Sequence, residues 1–468
     1  MNEQVDVIVI GAGPVGENAA DRAVRGGLRT LLVDRELFGG ECSFWACIPS
    51  KALLRPGHAL AAARRLPGVP VGERLDPGPV LARRDEFIHN LDDTSQVDWA
   101  KGAGIEVARG HARLTGEREV TISRVGEPDT VVTANHAVIV CTGSVPRAPR
   151  IDGLDQVPYW GSREATNAKQ VPSSMVVLGG GVVGVEMAQA WSRLGARIDL
   201  VLSGSRPLPR FEPFVGELLL AAFAEDGITV HRDASAVAAA GTDDGVSLTL
   251  SDGSVLSGER LLVATGRRPN TDDIGLEVAG LSPGSTLAVD DSGQVEGVPW
   301  LYAAGDVTGR APLTHQGKYA ARITGDVVAA RARGESVDLS PWSRHQSTAD
   351  HYAVPQVVFT DPEVGFVGRT AEQAASAGLN TKVVDVDIET AGSYLHADGY
   401  RGKARLVVDE DRRVLVGVTF VGQDVADLLH SATIAVAGEV PVDRLWHAVP
   451  SFPTISEVWL RLLESYGL

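Results

Sequence analysis

The stretch VDVIVIGAGPVG, residues 5–16, decides the fold. Residues 5–10 are mostly apolar and β-branched, which predicts a buried strand. Three glycines follow at once in the spacing G-x-G-x-x-G, and residues 18–24 predict a helix. In this strand–turn–helix setting the glycines let the backbone approach a pyrophosphate at the helix N-terminus, which predicts a dinucleotide site. The glycines are Gly11, Gly13 and Gly16.

The second predicted strand, residues 30–34, ends in Asp34. An acid at this position can accept hydrogen bonds from the ribose of the bound dinucleotide. The spacing alone is a weak signal, and a purely structural glycine turn is the alternative. The strand, the helix and the acid together favour binding.

The same pattern returns 168 residues later, with a strand over residues 175–178, a glycine motif at 179–184 and a helix over 185–194. Two motifs indicate two dinucleotides, which suggests a flavin nucleotide and a nicotinamide nucleotide that exchange hydride. The glycines of this second motif are Gly179, Gly181 and Gly184.

The second motif lacks the acid that binds the free 2′-hydroxyl of NAD. Its following strand, residues 197–202, leads into Ser203, Ser205 and Arg206. Hydroxyls and a cation at this point favour the 2′-phosphate of NADPH. The alternative is a plain polar loop that accepts NADH as well.

Cys42 and Cys47 lie five positions apart in ECSFWACIPSK, residues 41–51. Such a pair can store two electrons as a dithiol. A regular helix would hold the two α-carbons about 8.6 Å apart, which exceeds the roughly 7 Å that a disulfide tolerates. The segment must therefore wind irregularly, and Gly39-Gly40 before it and Pro49 after it permit that.

Other uses of the two cysteines are weaker. A structural disulfide does not fit a reducing compartment, and a zinc site needs about four ligands. The third cysteine, Cys141, lies far away in an apolar segment with no nearby histidine pair. We therefore expect no metal, with incidental thiols as the remaining alternative.

Composition favours a cytoplasmic enzyme. The chain has 468 residues and a formal net charge of −17, which makes nucleic acid and anionic membranes poor partners. Residues 1–4 carry neither the basic nor the apolar part of a secretory signal, and no run of about 18 apolar residues predicts a membrane span.

Several further elements extend the α/β pattern. Strands are predicted over residues 138–143 and 262–267, both ending near a Thr-Gly pair, and over 301–306, which ends in Asp306. From about residue 344 the pattern changes to an α+β region without a glycine motif. Its predicted strands are 357–359, 403–408 and 414–420, and its predicted helix is 424–437.

With these residues assembled, the chain resembles the pyridine nucleotide–disulfide oxidoreductases, among them dihydrolipoamide dehydrogenase, glutathione reductase and mercuric reductase. The resemblance covers essentially the whole chain. The motifs that carry it are residues 40–51, the two glycine motifs, ATGRRPN at 264–270, AGD at 304–306 and FTDPE at 359–363.

The resemblance implies two Rossmann-like domains and a C-terminal α+β dimerisation domain. The expected division is an FAD domain (1–148 and 272–343), a NAD(P) domain (149–271) and an interface domain (344–468). It also implies a homodimer whose active site is shared between subunits. The implied FAD residues are Gly11, Gly13, Gly16, Asp34, Lys51, Thr142, Gly143 and Asp306. The implied nicotinamide-site residues are Gly179, Gly181, Gly184 and Gly266, with Ser203 and Arg206 beside them.

The same resemblance implies the roles at the redox centre. Cys47 would lie nearest the flavin, and Cys42 would be the thiol that attacks the acceptor. Lys51 and Glu186 match a pair that lies beside the flavin ring in the family.

The chain departs from the family near its C-terminus. Disulfide reductases carry His-Pro-Thr there, with a Glu five residues after the His, and that His shuttles protons for the partner subunit's thiol. Here the positions are occupied by Phe452 and Glu457. Phenylalanine cannot carry a proton, and His447 is a weak candidate to replace it.

These residues predict an FAD-dependent, NADPH-using oxidoreductase that passes electrons through Cys42 and Cys47 to a disulfide or an electrophilic acceptor such as a quinone. One alternative resembles 2-ketopropyl coenzyme M oxidoreductase/carboxylase, which cleaves a thioether and also has Phe at this position, but Glu457 does not match it. Mercuric reductase fits less well because the C-terminal cysteine pair is absent. A flavoprotein that only binds partners in a redox-dependent way is the non-enzymatic alternative.

Overall fold

The computed structural model describes residues 3–468 and has the predicted mixed α/β architecture. Residues 1 and 2, part of the argument against a secretory signal, lie outside the described residues. The strands are β1 Glu3–Ile10, β2 Thr30–Asp34, β3 Glu106–Arg109, β4 His111–Gly116, β5 Glu119–Ser123, β6 Thr130–Val140, β7 Ser144–Pro146, β8 Ser174–Leu178, β9 Arg197–Val201, β10 Thr229–His231, β11 Ala236–Thr242, β12 Gly245–Leu250, β13 Val255–Gly258, β14 Arg260–Val263, β15 Arg267–Pro269, β16 Leu301–Ala303, β17 Pro355–Val358, β18 Glu363–Gly368, β19 Thr381–Asp387, β20 Lys403–Asp409 and β21 Val414–Gly422. The α-helices are α1 Pro14–Arg25, α2 Gly40–Phe44, α3 Cys47–Arg64, α4 Pro77–Phe87, α5 Thr94–Gly102, α6 Ser162–Asn167, α7 Val182–Arg193, α8 Pro213–Glu225, α9 Thr314–Ala332, α10 Ala349–Tyr352, α11 Ala371–Ser376, α12 Ala391–His396, α13 Leu429–Ala437, α14 Val442–Leu445 and α15 Val458–Tyr466.

The chain divides into two compact units. Among the described residues, the first unit comprises 3–49, 85–147 and 267–350, and the second comprises 50–84, 148–266 and 351–468. The three-domain division expected from the family resemblance stays a prediction.

The first unit is built on a sheet in which β3, β2, β1, β6 and β16 run parallel, and β5 and β4 extend it in antiparallel fashion from β6. Strand β1 is central because it is apolar on both faces, and Val7, Ile8 and Val9 are fully buried. Helices α1 and α9 pack against each other. This arrangement puts the first glycine motif at the carboxyl end of β1, where parallel α/β sheets bind ligands.

The second unit contains a parallel sheet in the order β10-β9-β8-β14 and a separate antiparallel sheet of β11, β12 and β13. Its C-terminal part is an antiparallel sheet in the order β17-β18-β21-β20-β19. The second glycine motif follows β8 and opens α7, as the sequence predicts. Helix α7 is held by its buried face, which includes Trp191.

Some predicted boundaries are wrong. The strand predicted over 262–267 ends at Val263, and the strand predicted over 301–306 ends at Ala303. The helix predicted over 424–437 begins only at Leu429, and Asp424, with a φ of 58°, lies outside the right-handed helical region. Within residues 3–468, no helix combines the length and apolarity needed to cross a membrane.

Candidate active site

The first glycine motif forms a tight turn that only glycine allows. Gly11 has a φ of 103°, and a Cβ on it would lie 2.4 Å from the carbonyl oxygen of Cys141. A Cβ on Gly16 would lie 1.8 Å from the Gly11 oxygen, so the helix could not start this close to the strand. Gly13, in contrast, has open space beside it, with Gly40 Cα the nearest atom at 3.9 Å. The turn therefore exposes backbone at the N-terminus of α1, where a pyrophosphate would bind.

Asp34, the last residue of β2, holds the loop of the first glycine motif in place. Its carboxylate accepts hydrogen bonds from the backbone N–H of Ala12 at 2.7 Å and of Glu36 at 2.8 Å. Burial raises the pKa of Asp34, and the two backbone donors oppose that rise. The remaining lone pairs of the carboxylate stay available to ribose hydroxyls.

Three hydrogen bonds connect Asn270 with Thr142 and Gly143. The Thr142 hydroxyl donates to the Asn270 carbonyl at 2.7 Å, the Asn270 side chain donates to the Thr142 carbonyl at 3.2 Å, and the Asn270 N–H donates to the Gly143 carbonyl at 3.0 Å. This clamp fixes the backbone at the carboxyl end of β6.

A polar network that the sequence did not predict ties Asp306 to the cysteine segment. The Ser144 hydroxyl donates to Asp306 Oδ2 at 2.5 Å. Arg267 donates to the Ser144 hydroxyl at 2.7 Å and to Glu41 Oε2 at 3.0 Å. Glu41 immediately precedes Cys42, so the network orients the cysteine segment relative to Asp306.

These features fit an FAD site. The glycine turn offers open backbone to a pyrophosphate, Asp34 offers acceptors at the ribose position, and Asp306 follows β16 at the same sheet edge. The flavin, when bound, accepts hydride and passes two electrons on.

The cysteine segment winds irregularly, as predicted. Gly39 and Gly40 have φ values of 103° and 58°, helix α2 ends at Phe44, and a new helix begins at Cys47. Pro49 lies in the first turn of that helix, where a missing N–H costs nothing. Cys42 and Cys47 are thus brought together by a break between two helices.

Thr314 contacts both sulfurs. Its Oγ1 donates to Cys42 Sγ at 3.3 Å and lies 3.3 Å from Cys47 Sγ, so the two sulfurs are at most twice that distance apart. Thr314 is also the first residue of α9, a helix of 19 residues. A helix N-terminus and a hydroxyl donor both favour a thiolate over a thiol. No local sequence pattern indicates this residue, because it lies 272 positions from Cys42.

Lys51 and Glu186, which the family resemblance places beside the flavin ring, form an ion pair in the structure. Lys51 Nζ lies 2.8 Å from Glu186 Oε2, and Glu186 is only 2% exposed. The other oxygen of Glu186 accepts from the backbone N–H of Phe359 at 2.9 Å, and Lys51 lies 4.9 Å from the centre of the Phe359 ring. The carboxylate and the ammonium are therefore fixed in one geometry.

The second glycine motif repeats the geometry of the first. Gly179 has a φ of 115°, and a Cβ on Gly184 would lie 1.9 Å from the Gly179 oxygen. A Cβ on Gly181 would have open space beside it among residues 3–468. Gly266 has a φ of 128° and likewise has open space around it. This turn also fits a pyrophosphate.

Beyond β9, Ser203 is exposed and Arg206 is half-buried. The Arg206 stem packs against Gly216 of α8, where a Cβ would lie 2.9 Å from Arg206 Cβ. Among the described residues Arg206 Nε is buried without a hydrogen-bond partner. A buried donor of this kind fits an anion that the protein itself does not supply.

Phe452 and Glu457 have contrasting surroundings. Phe452 is 75% exposed, which is unusual for a large apolar side chain, and Glu457 is 9% exposed. Glu457 Oε2 is buried and has no hydrogen-bond partner within residues 3–468. His447 is exposed.

Two family models match the chain. One describes a pyridine nucleotide-disulphide oxidoreductase and covers residues 5–324, and the other describes the dimerisation domain of the same family and covers residues 354–462. The chain belongs to the pyridine nucleotide-disulphide oxidoreductase family. It is 31% identical to a dihydrolipoyl dehydrogenase of Chlamydia muridarum, over 98% of this chain and 96% of that protein. It is 32% identical to a mercuric reductase of Streptomyces lividans, over 94% of this chain and 92% of that protein.

Solved structures share the fold. The HOCl-induced flavoprotein disulfide reductase RclA from Escherichia coli matches with a TM-score of 0.83 and 23% identity, covering 99% of both chains. LpdA from Mycobacterium tuberculosis matches with a TM-score of 0.83 and 24% identity, covering 99% of this chain and 100% of that chain.

Family membership confirms the coarse functional prediction. The chain is a flavoprotein oxidoreductase of a family that uses FAD and a pyridine nucleotide, with a redox-active cysteine pair and a dimerisation domain. The choice of nucleotide, the acceptor and the role of each site residue stay predictions.

Proposed function

We propose that the protein is a homodimeric, cytoplasmic enzyme that passes electrons from NADPH through FAD and the Cys42–Cys47 pair to a disulfide or an electrophilic acceptor such as a quinone. The observation that carries this proposal is the contact of one hydroxyl, Thr314 Oγ1, with both sulfurs at 3.3 Å. Two sulfurs held this close beside a helix N-terminus suit a dithiol–disulfide couple. With a disulfide acceptor, NADPH, one proton and the disulfide give NADP⁺ and two thiols.

The proposed preference for NADPH over NADH follows from Arg206. The second glycine motif lacks an acid at the end of β9, and Arg206 offers a buried guanidinium nitrogen that has no partner among the described residues. A 2′-phosphate would supply one through a charge-assisted hydrogen bond. NADH, which lacks this phosphate, would leave the donor unsatisfied.

The proposed class of acceptor follows from Phe452. An exposed phenyl ring at the position of the family's imidazole cannot protonate a departing thiolate, and general acids typically contribute about 10²–10⁴-fold in rate. An acceptor that does not depend on this imidazole is therefore favoured. A disulfide with a stable leaving thiolate and a quinone both meet that condition.

An acceptor screen under steady NADPH tests the proposal. Wild type, Cys42→Ser and Phe452→His would be compared on alkyl disulfides, aryl disulfides, quinones and aldehydes, with FAD content measured for each protein. We expect wild type to favour aryl disulfides or quinones, Cys42→Ser to lose disulfide turnover, and Phe452→His to improve alkyl disulfides selectively. Full disulfide turnover by Cys42→Ser would contradict the route through the thiols.

A further inference from the structure

One exposed arginine at the edge of the parallel sheet in the second unit has no assigned task. Arg232 directly follows β10, the strand beside β9. It is exposed, and within residues 3–468 it forms no hydrogen bond or ion pair. Exposed arginines are common on protein surfaces, and what distinguishes Arg232 is its place in the sheet. It lies at the carboxyl end of a parallel strand, where α/β sheets bind their ligands.

Backbone hydrogen bonds place Arg232 opposite Leu202. Strand β10 pairs in parallel with β9 as far as His231. The Leu202 N–H donates to the His231 carbonyl at 2.8 Å, which extends the parallel pairing by one residue, to Arg232 opposite Leu202. The Asp233 N–H then donates to the Gly204 carbonyl at 3.1 Å. The segment after β10 therefore lies against the loop after β9, the loop to which the proposed function assigns the 2′-phosphate.

The Arg232 side chain leaves the sheet on the face of the second glycine motif. Successive side chains of a strand point to opposite faces, and residues opposite each other in neighbouring strands point to the same face. His231 points to the other face, where its Nε2 lies 2.9 Å from Asp199 Oδ1. Leu202 points toward the glycine motif, since a Cβ on Gly180 would lie 2.4 Å from Leu202 Cδ2.

Distance and charge both suit a phosphate at this point. Dinucleotide-binding folds hold the 2′ position at the end of the second strand, which is β9 here. Neighbouring strands lie about 4.8 Å apart, and an extended arginine side chain spans that distance. A phosphate monoester carries a charge of about −1.5 to −2 near pH 7, which one guanidinium does not neutralise. Residues 203–206 and 231–233 contain two arginines, Arg206 and Arg232, and one aspartate, Asp233, in a chain with a formal net charge of −17.

We propose that Arg232 is a specificity-determining residue for the nicotinamide nucleotide and binds the 2′-phosphate of NADPH together with Arg206. This inference rests on the proposed function and adds a second cation to it, from the neighbouring strand. The planar fork of Arg232 can donate to two phosphate oxygens at once. NADH presents a hydroxyl at the same position, so the charge of Arg232 contributes little to its binding.

Calorimetric titration of the oxidised, FAD-loaded protein with 2′,5′-ADP and with 5′-ADP tests this inference. The two ligands are isomers with the same number of phosphates, and only the first carries a phosphate at the 2′ position. Arg232→Gln should weaken the binding of 2′,5′-ADP by about tenfold, the value of one charge-assisted hydrogen bond, and leave the binding of 5′-ADP nearly unchanged. Arg401→Gln is the matched control. It removes the same charge from an exposed arginine that pairs with Glu225, the last residue of α8, and it should bind both isomers as wild type does.

The outcomes separate the role of Arg232 from the proposed function. If wild type prefers 2′,5′-ADP and Arg232→Gln keeps that preference, the role of Arg232 is overturned while the preference for NADPH stands. Equal weakening of both isomers in Arg232→Gln also overturns it. If wild type does not distinguish the isomers and uses NADH as well as NADPH, the proposed preference for NADPH itself fails. If Arg232→Gln does not fold, Arg232→Ala is judged by the same results.

Discussion

The Lys51–Glu186 pair gives a prediction that can be calculated from its geometry. Glu186 is almost fully buried, and the charges lie 2.8 Å apart. At an effective dielectric constant of about 20, two unit charges at this distance attract by roughly 6 kcal/mol. The Lys51 side chain is 34% exposed, so solvent screens part of this attraction. We therefore expect a coupling energy of about 2–4 kcal/mol between the two side chains.

A double-mutant cycle measures this energy. Lys51→Met, Glu186→Gln and the double variant would be unfolded in urea at pH 7.5 as FAD-loaded proteins. Lys51→Met should destabilise most, because it leaves a buried carboxylate without its cation, and the double variant should recover much of the loss. The exposed pair Arg461–Glu464 is the matched control and should give at most about 1 kcal/mol. Additive effects at Lys51 and Glu186, with coupling below about 0.5 kcal/mol, would refute the reasoning.

Three further predictions follow from single side chains. Arg206→Ala should lower kcat/KM for NADPH by about 10–100-fold, the value of a charge-assisted hydrogen bond, and leave kcat/KM for NADH nearly unchanged. Equal losses of kcat/KM for the two nucleotides in a steady-state assay would remove the argument for the 2′-phosphate. Thr314→Val should slow alkylation of both redox cysteines at pH 7, because it removes their shared hydroxyl donor; unchanged rates would mean that the hydroxyl does not stabilise a thiolate. Burial raises the pKa of Glu363 to about 7, so the native state binds more protons than the unfolded state between about pH 4.5 and 7, and stability falls as pH rises through that range. The free energy of unfolding of Glu363→Gln minus that of wild type should therefore be higher at pH 8 than at pH 5, by about 1–3 kcal/mol in urea unfolding. A difference that does not change with pH would contradict the burial argument.

The sequence predicted those parts of the site that local patterns encode. Both glycine motifs, the acid Asp34 and the break between Cys42 and Cys47 follow from residue types at short spacing, and the structure has all of them. Strand ends were less predictable, since β14 stops at Val263 whereas the predicted strand runs on to residue 267.

Contacts between distant residues could not be predicted in the same way. Thr314 meets the cysteines, and Arg267 meets Ser144 and Glu41, only because the sheet order brings their segments together. Glu17 directly precedes the helix predicted over residues 18–24, and an exposed position is the ordinary expectation for a charged side chain there. The burial of its Oε1 is a consequence of how α1 packs.

Electrons from NADPH should reach the Cys42–Cys47 pair. The direct measurement is an anaerobic titration of the FAD-loaded protein with NADPH, quenched with iodoacetamide and mapped by mass spectrometry. Cys141 is an internal control, because it is buried and burial raises its pKa to about 12. We predict that one NADPH per chain makes both Cys42 and Cys47 alkylatable while Cys141 stays unmodified. Reduction of the flavin without new alkylation at Cys42 and Cys47 would contradict the account.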